Sequence, residues 1–220
     1  MMSSPETFYE MNLKGKTPDQ IMTVIRGLKQ EIGSLKNIVE HPEYKCAMCP
    51  SEGVRISCSR DYLERAKQAL TEAGGTYIPS AAEKKSMAFD ENIQFVNKVE
   101  FCIGGHFPGY EIKTYTIDGD RIHAHSEHMI FPNPSNFEGT EIESPDKDDF
   151  LEALKDLHIG EWRRRYNTYR FGYAICDGTQ WSLKLYFSNG HRPVKIFGDN
   201  AYPYNFDRVL ELFEIEWQLC

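Results

Sequence analysis

With 220 residues, 40% of them hydrophobic and 13% aromatic, the chain has the composition of a packed globular protein, which excludes a disordered polymer and suggests one large domain or two small ones. No apolar run approaches the roughly 18 residues of a membrane span, and Met1 to Lys16 has no apolar secretory stretch, so the expectation is a cytoplasmic protein with no membrane partner. A net charge of −8 argues against general nucleic-acid binding, which needs surplus lysine and arginine.

Residues 1–16 are polar and read as a loose segment. Thr17-Pro18-Asp19-Gln20 reads as a helix start, with Thr17 as N-cap, Pro18 at N1 and Gln20 completing a capping box. Ile21, Val24, Ile25, Leu28, Ile32, Leu35 and Val39 then fall on one helical face. Pro42 lies beyond its end, and a cysteine-bearing loop follows. The spacing predicts a short strand Val54–Ser57 and a helix Arg60–Ala73, capped by Ser59 and closed by Gly74-Gly75. Residues 79–91 are small and polar, a linker by composition.

From Ile93 the period changes to two. Phe95–Ile103, Tyr110–Ile117 and Arg121–His128 are predicted strands, with Asp118-Gly119 as a hairpin turn. After a proline-rich loop, a helix runs from Pro145 to His158 with Ser144 as cap, and Arg163-Arg164-Arg165 reads as its solvated end, with a phosphate site as the alternative. Strands Phe171–Cys176, Gln180–Ser188 and Arg192–Phe197 follow, the last two joined at Asn189-Gly190. A final helix, Phe206–Phe213, is capped by Asn205, and Trp217 and Leu219 tuck the tail down. A shift of 71 residues lays Lys113, Tyr115, Gly119 and Arg121 onto Lys184, Tyr186, Gly190 and Arg192, which points to a tandem repeat. The predicted architecture is therefore α+β: an antiparallel sheet of about six strands from a β-β-β-α tandem repeat at 92–220, with helices on one face. A helical layer with the cysteine loop precedes it at 17–91.

Three segments invite a chemical reading. His41, Cys46, Cys49 and Cys58 have the residue types of a tetrahedral zinc site, with the Cys-x-x-Cys pair supplying half of it; a structural zinc would staple a loop with little core of its own. The alternative is that Cys58 is a small buried residue and the pair is incidental. Redox chemistry is disfavoured, because a turn rather than a helix start follows Cys49.

The second segment is His123-Ala124-His125-Ser126-Glu127-His128. It resembles the His-x-His-x-acid-His pattern of metallo-β-lactamase-type hydrolases, and that resemblance implies an αββα fold with further His and Asp ligands downstream. The chain departs from it: the motif sits in a hairpin strand, no β-α alternation surrounds it, and Glu127 stands where aspartate is usual. Hairpin pairing of Thr114 with His123 and Ile112 with His125 puts these residues on one face, turned towards the helices, with His106 as a third histidine nearby. The third segment, Gly104 to Tyr110, lacks the spacing of a nucleotide cradle and reads as a hairpin connection.

Asp177-Gly178-Thr179-Gln180-Trp181 through Ser188-Asn189-Gly190, then Gly198 to Pro203 and Asn205-Phe206-Asp207, resembles the C-terminal part of uncharacterised bacterial proteins of gut Firmicutes. The likeness extends back through the Arg60 helix and implies a lineage but no activity.

The expected function is that of a non-enzymatic cytoplasmic binding or interaction protein with an unknown protein partner, carrying at most a structural zinc; Trp162, Tyr202 and Tyr204 are candidate surface aromatics. One alternative is a metal-dependent hydrolase using His106, His123, His125 and His128. Another is an acidic inhibitor from a mobile element, presenting Glu138, Glu141, Glu143, Asp146, Asp148 and Asp149 in place of phosphates to a nucleic-acid enzyme.

Overall fold

The structure, a computed structural model, describes residues 3–46, 49–105, 109–129, 137–175 and 177–216, with the side chains of Phe137 and Glu138 outside that description. The chain divides into two compact units, Met1–Ser80 and Ala81–Cys220.

The first unit is helical. The N-terminal segment is not loose: Ser4 accepts from the Thr7 amide and caps α1 (Pro5–Asn12). Phe8 on that helix stacks on Tyr62 at 4.3 Å, the Tyr62 hydroxyl donates to the Ser3 carbonyl at 2.7 Å, and Arg65 pairs with Glu6 and lies over the Tyr9 ring. In α2 (Pro18–Val39) the capping box of Thr17 and Gln20 is present. Ile21, Ile25, Leu28, Ile32 and Leu35 are buried along it, each worth about 1.5–3 kcal/mol. The third helix corrects the predicted strand. It spans Glu52–Glu72 (α3), capped by Ser51 through the Val54 amide. Val54 and Ile56 suggest β structure, but Ile56, Ser59, Leu63, Ala66 and Leu70 recur every three or four residues and are buried together. Tertiary burial outweighs the local preference of two β-branched residues. Gly74 and Gly75 end the helix as expected, with the Gly75 amide bonded to the Leu70 carbonyl.

The second unit opens with a further correction: the polar stretch read as a linker is α4 (Ala81–Asn92), held by buried Phe89. Then come β1 (Val96–Gly105), β2 (Gly109–Asp118), β3 (Arg121–Met129) and β4 (Phe137–Glu141). After α5 (Lys147–Asp156) follow β5 (Arg165–Asn167), β6 (Gln180–Phe187), β7 (Val194–Asp199) and α6 (Phe206–Leu212). The strands form one seven-stranded sheet in the order β4-β3-β2-β1-β6-β7-β5. All pairs are antiparallel except β5 with β7. The class is α+β, with the helices of this unit packed on one sheet face.

That face is an aromatic and aliphatic core. Phe101 stacks on Phe213 at 4.7 Å and Tyr115 on Phe150 at 4.9 Å. Burial pushes the Tyr115 phenol up to about 12, so it stays protonated under all ordinary conditions. Trp181, Leu183, Leu185 and Phe187 alternate inward along β6, as the sequence pattern requires. Trp162, a candidate for either a partner surface or the core, is only 7% exposed and meets Trp181 edge-on at 6.4 Å. Tyr202 and Tyr204 also pack against this core.

Four local expectations in this unit change. Phe171–Ile175 does not form the predicted strand: Thr168–Phe171 is a 3₁₀ turn and the residues to Ile175 form loop, while Cys176 lies outside the described residues. Strands β4 and β5 were hidden, the first in the proline-rich stretch and the second in the arginine run, where Arg165 begins a strand instead of ending a helix. Helix α5 is capped by Asp146, which accepts from the Asp148 and Asp149 amides, not by Ser144. Asn205 caps nothing with its side chain; it donates to the Leu157 carbonyl at 2.9 Å and so ties the end of α5 to the start of α6.

The tandem-repeat equivalences also fail residue by residue. Val99 pairs with both Tyr115 and Leu185, so Tyr115 shares the core face with Leu185, whereas Tyr186 pairs with Lys98 on the other face. The four shared identities thus place Tyr115 and Tyr186 on opposite sides of the sheet. Trp217 and Leu219 lie outside the described residues.

Candidate ligand-binding site

No described element packs on the second face of the sheet within this unit, and side chains of alternate parity line up there in rows across five strands. One row runs from Arg165 on β5 through Phe197, Ser182 and Cys102 to Ile112. The next runs from Asn167 through Asp199, Gln180 and Gly104 to Tyr110. These two rows floor a cavity of about 570 Å³, to which Tyr169 contributes from the 3₁₀ turn after β5. That volume lies in the range of small-molecule sites.

Two glycines shape the groove. A side chain at Gly104 would collide with the Tyr110 ring. Its absence lets Tyr110 reach across β1 and donate from its hydroxyl to Gln180 Oε1 at 2.9 Å. On the core side, a side chain at Gly198 would collide with the Trp181 indole, whose N–H donates to the Ala201 carbonyl at 2.9 Å. Gly198 therefore lets Trp181 anchor the strand that carries Phe197 and Asp199. Asn200 completes the support. It adopts a left-handed conformation (φ 51), accepts from the Thr179 amide at 2.8 Å and donates to Asp199 Oδ1 at 2.9 Å.

The groove is aromatic where water would normally be met. Tyr169 is 69% and Phe197 42% exposed. Arg165 is exposed and has no side-chain partner among the described residues. Cys102 in the floor is a half-buried thiol, and burial pushes its pKa up, so it is a neutral wall residue at physiological pH. Beside the groove Glu100 is clamped by Lys98 at 2.6 Å, Lys184 at 3.2 Å and Tyr186 at 3.3 Å. Burial would raise the Glu100 carboxyl, but the hydrogen bonds and charges of Lys98 and Lys184 prevail and hold it below the usual carboxylate value.

Among the described residues, no group of three or more His, Cys, Asp or Glu side chains is placed to hold a metal ion. Cys46 and Cys49 are exposed in the loop and form no disulfide, while Cys58 sits inside α3, about two turns from its cap. His41 accepts the Glu43 amide at Nδ1 (3.2 Å). The second cluster is divided by strand alternation. His123 pairs with Thr116 and His125 with Thr114, a register two residues from the expected one, on the uncovered face. Ile122 and Ala124, not the histidines, face the helices. His128 has the opposite parity to His125 and so projects from the other side; His106 lies outside the described residues. His125 instead lies 3.4 Å from Glu127. The period of the strand thus keeps His128 from sharing a site with His123 and His125.

The acidic set is divided as well. Glu141 stands opposite His125 on the uncovered face, whereas Asp146, Asp148 and Asp149 begin a helix packed on the other face; Glu143 is exposed in the loop between, and the side chain of Glu138 is not described. Gly104 to Tyr110 joins β1 to β2, with Gly105 paired to Gly109, as a hairpin connection should.

The sequence reading missed Phe197, Tyr169 and Tyr110. A signal for the first was present: in Val194-Lys195-Ile196-Phe197-Gly198-Asp199 the phenylalanine occupies a solvent-parity position. Comparison with known proteins gives no match to a family model, a curated protein or a solved structure. None of the described helices is long and apolar enough to cross a membrane.

Proposed function

We propose that this is a non-enzymatic cytoplasmic binding protein whose binding site is the groove on the uncovered face of the sheet. One observation carries the reading: Tyr169 and Phe197 stand exposed beside a cavity of about 570 Å³ whose floor is fixed by the sheet. Such rings stay hydrated in the folded state until a ligand covers them, so the free energy of their burial is available to binding. The polar groups around them, Arg165, Asn167, Gln180 and Asp199, supply direction. No paired nucleophile and base stand among these side chains, which favours recognition over turnover.

The test is differential scanning fluorimetry of the wild type against a chemically diverse small-molecule library, repeated with Phe197→Ala and Tyr169→Ala. Compounds that raise the wild-type midpoint and lose that effect in both variants are expected. A library with no compound whose stabilisation depends on either ring would sink the reading.

A further inference from the structure

We infer that the groove takes a free nucleoside phosphate, a deeper assignment that rests on the binding reading above. Three parts of such a ligand meet three kinds of group here. Tyr169 and Phe197 offer exposed ring faces, and aromatic side chains stack on nucleobases without regard to base identity. Asn167 and Gln180, on either side of Asp199 in the second row, bring amides to the edge of a heteroaromatic ring. Gln180 uses its oxygen for the Tyr110 hydroxyl, which leaves its amino group to donate. Asp199, held by Asn200 at 2.9 Å, is placed as an acceptor for ribose hydroxyls, the role a carboxylate plays in dinucleotide sites.

The charge is distributed to match. Between Arg163 and Arg170 the chain carries four arginines and no acidic residue, in a protein of net charge −8. All four are exposed, and Arg165 lines the groove. A guanidinium in an aromatic groove suits a phosphate, which it binds through paired N–H donors. The overall negative charge disfavours a long polyanion and leaves a single small anion as the occupant. The smaller cavity of the first unit, about 310 Å³ beside Met22, Arg26 and Tyr77, has no exposed ring: its one aromatic residue, Tyr77, is half-buried and accepts from Lys29 at its hydroxyl.

The experiment is isothermal titration calorimetry of the full chain with AMP, GMP, CMP and UMP. The matching nucleosides, inorganic phosphate and a short single-stranded oligoribonucleotide serve as separate arms. At least one monophosphate is expected to bind with a Kd below about 1 mM, and its nucleoside about tenfold more weakly. Arg165→Gln and Phe197→Ala should each weaken it by about tenfold while the unfolding midpoint holds. Absence of binding by all four monophosphates overturns the inference, as does equal affinity for nucleoside and nucleotide, or unchanged affinity in both variants. Tighter binding of the oligonucleotide overturns the assignment to a free nucleotide. If the library yields ligands that depend on Phe197 and no nucleoside phosphate binds, the binding reading stands and this assignment falls.

Discussion

The two faces of the seven-stranded sheet are made by the same strands with the same period of two, yet they solve different problems. On one face Phe101, Trp181 and Leu183 are covered by helices, and each ring meets other rings. On the other, Phe197, Tyr110 and Ile112 stand among Arg165, Asp199, Gln180 and Ser182, with charged groups anchored by Glu100 alongside. A large apolar residue on the first face is explained by folding. On the second it needs another reason, because its burial contributes little to stability, and that asymmetry is what separates a site from a core in a protein without a recognisable catalytic motif.

Substitutions on each face break or sharpen this contrast. The largest effect is expected for Phe101→Ala. That ring is 0% exposed and packs on Phe206 and Phe213, so the loss should be about 3–5 kcal/mol in urea unfolding; a loss near zero would show that the helices do not cover this face in solution. Next is Gly198→Ala, where the added methyl meets the Trp181 indole. About 1–3 kcal/mol should be lost, with a change in tryptophan fluorescence.

Glu100→Gln is smaller, about 1 kcal/mol at neutral pH, because its ion pairs are only partly shielded from water. The folded carboxyl lies below its unfolded value. Its contribution is therefore complete above the unfolded carboxylate pKa and lost as pH falls through the folded one. Wild type and variant should converge in acid, and a gap that is constant with pH would remove the charge from the explanation. The smallest effect on stability is predicted for Phe197→Ala, within about 0.5 kcal/mol. A loss as large as that of Phe101→Ala would make Phe197 a core residue and end the contrast.

How much of this was legible in the sequence follows from which forces are local. The capping box at Thr17, the stripe of α2 and the hairpin at Asp118-Gly119 are encoded within a few residues of each other, and all three form. Leu183 with Ile196 and Leu185 with Val194 pair as their alternation requires. Short edge strands have too few residues for a period, so β4 and β5 gave no signal. Cys58 and His123 carried chemically suggestive types, but type alone does not fix direction; a helix start at Glu52 and the parity of β3 decided where they point. The groove was hidden for another reason. Tyr110 reaches Gln180 across 70 residues of sequence, and Arg165 meets Phe197 only because β5 runs parallel to β7. Neither relation has a local trace, apart from the misplaced parity of Phe197.

Strand β1 lies at the centre of the sheet, between β2 and β6, and this has a consequence for how the protein is made. The hairpins linking β1, β2 and β3 can close as soon as they leave the ribosome, but Glu100 must wait for Lys184, 84 residues later. At roughly 5–20 residues per second of synthesis, the edge of β1 stays unpaired for about 4 to 17 s. During that interval Val99, Phe101 and Ile103 also lack their α6 cover, and the segment is open to pairing with any other nascent strand. Slow elongation just before Gln180 should therefore lower soluble yield without altering the final protein, a vulnerability set by strand order rather than by stability.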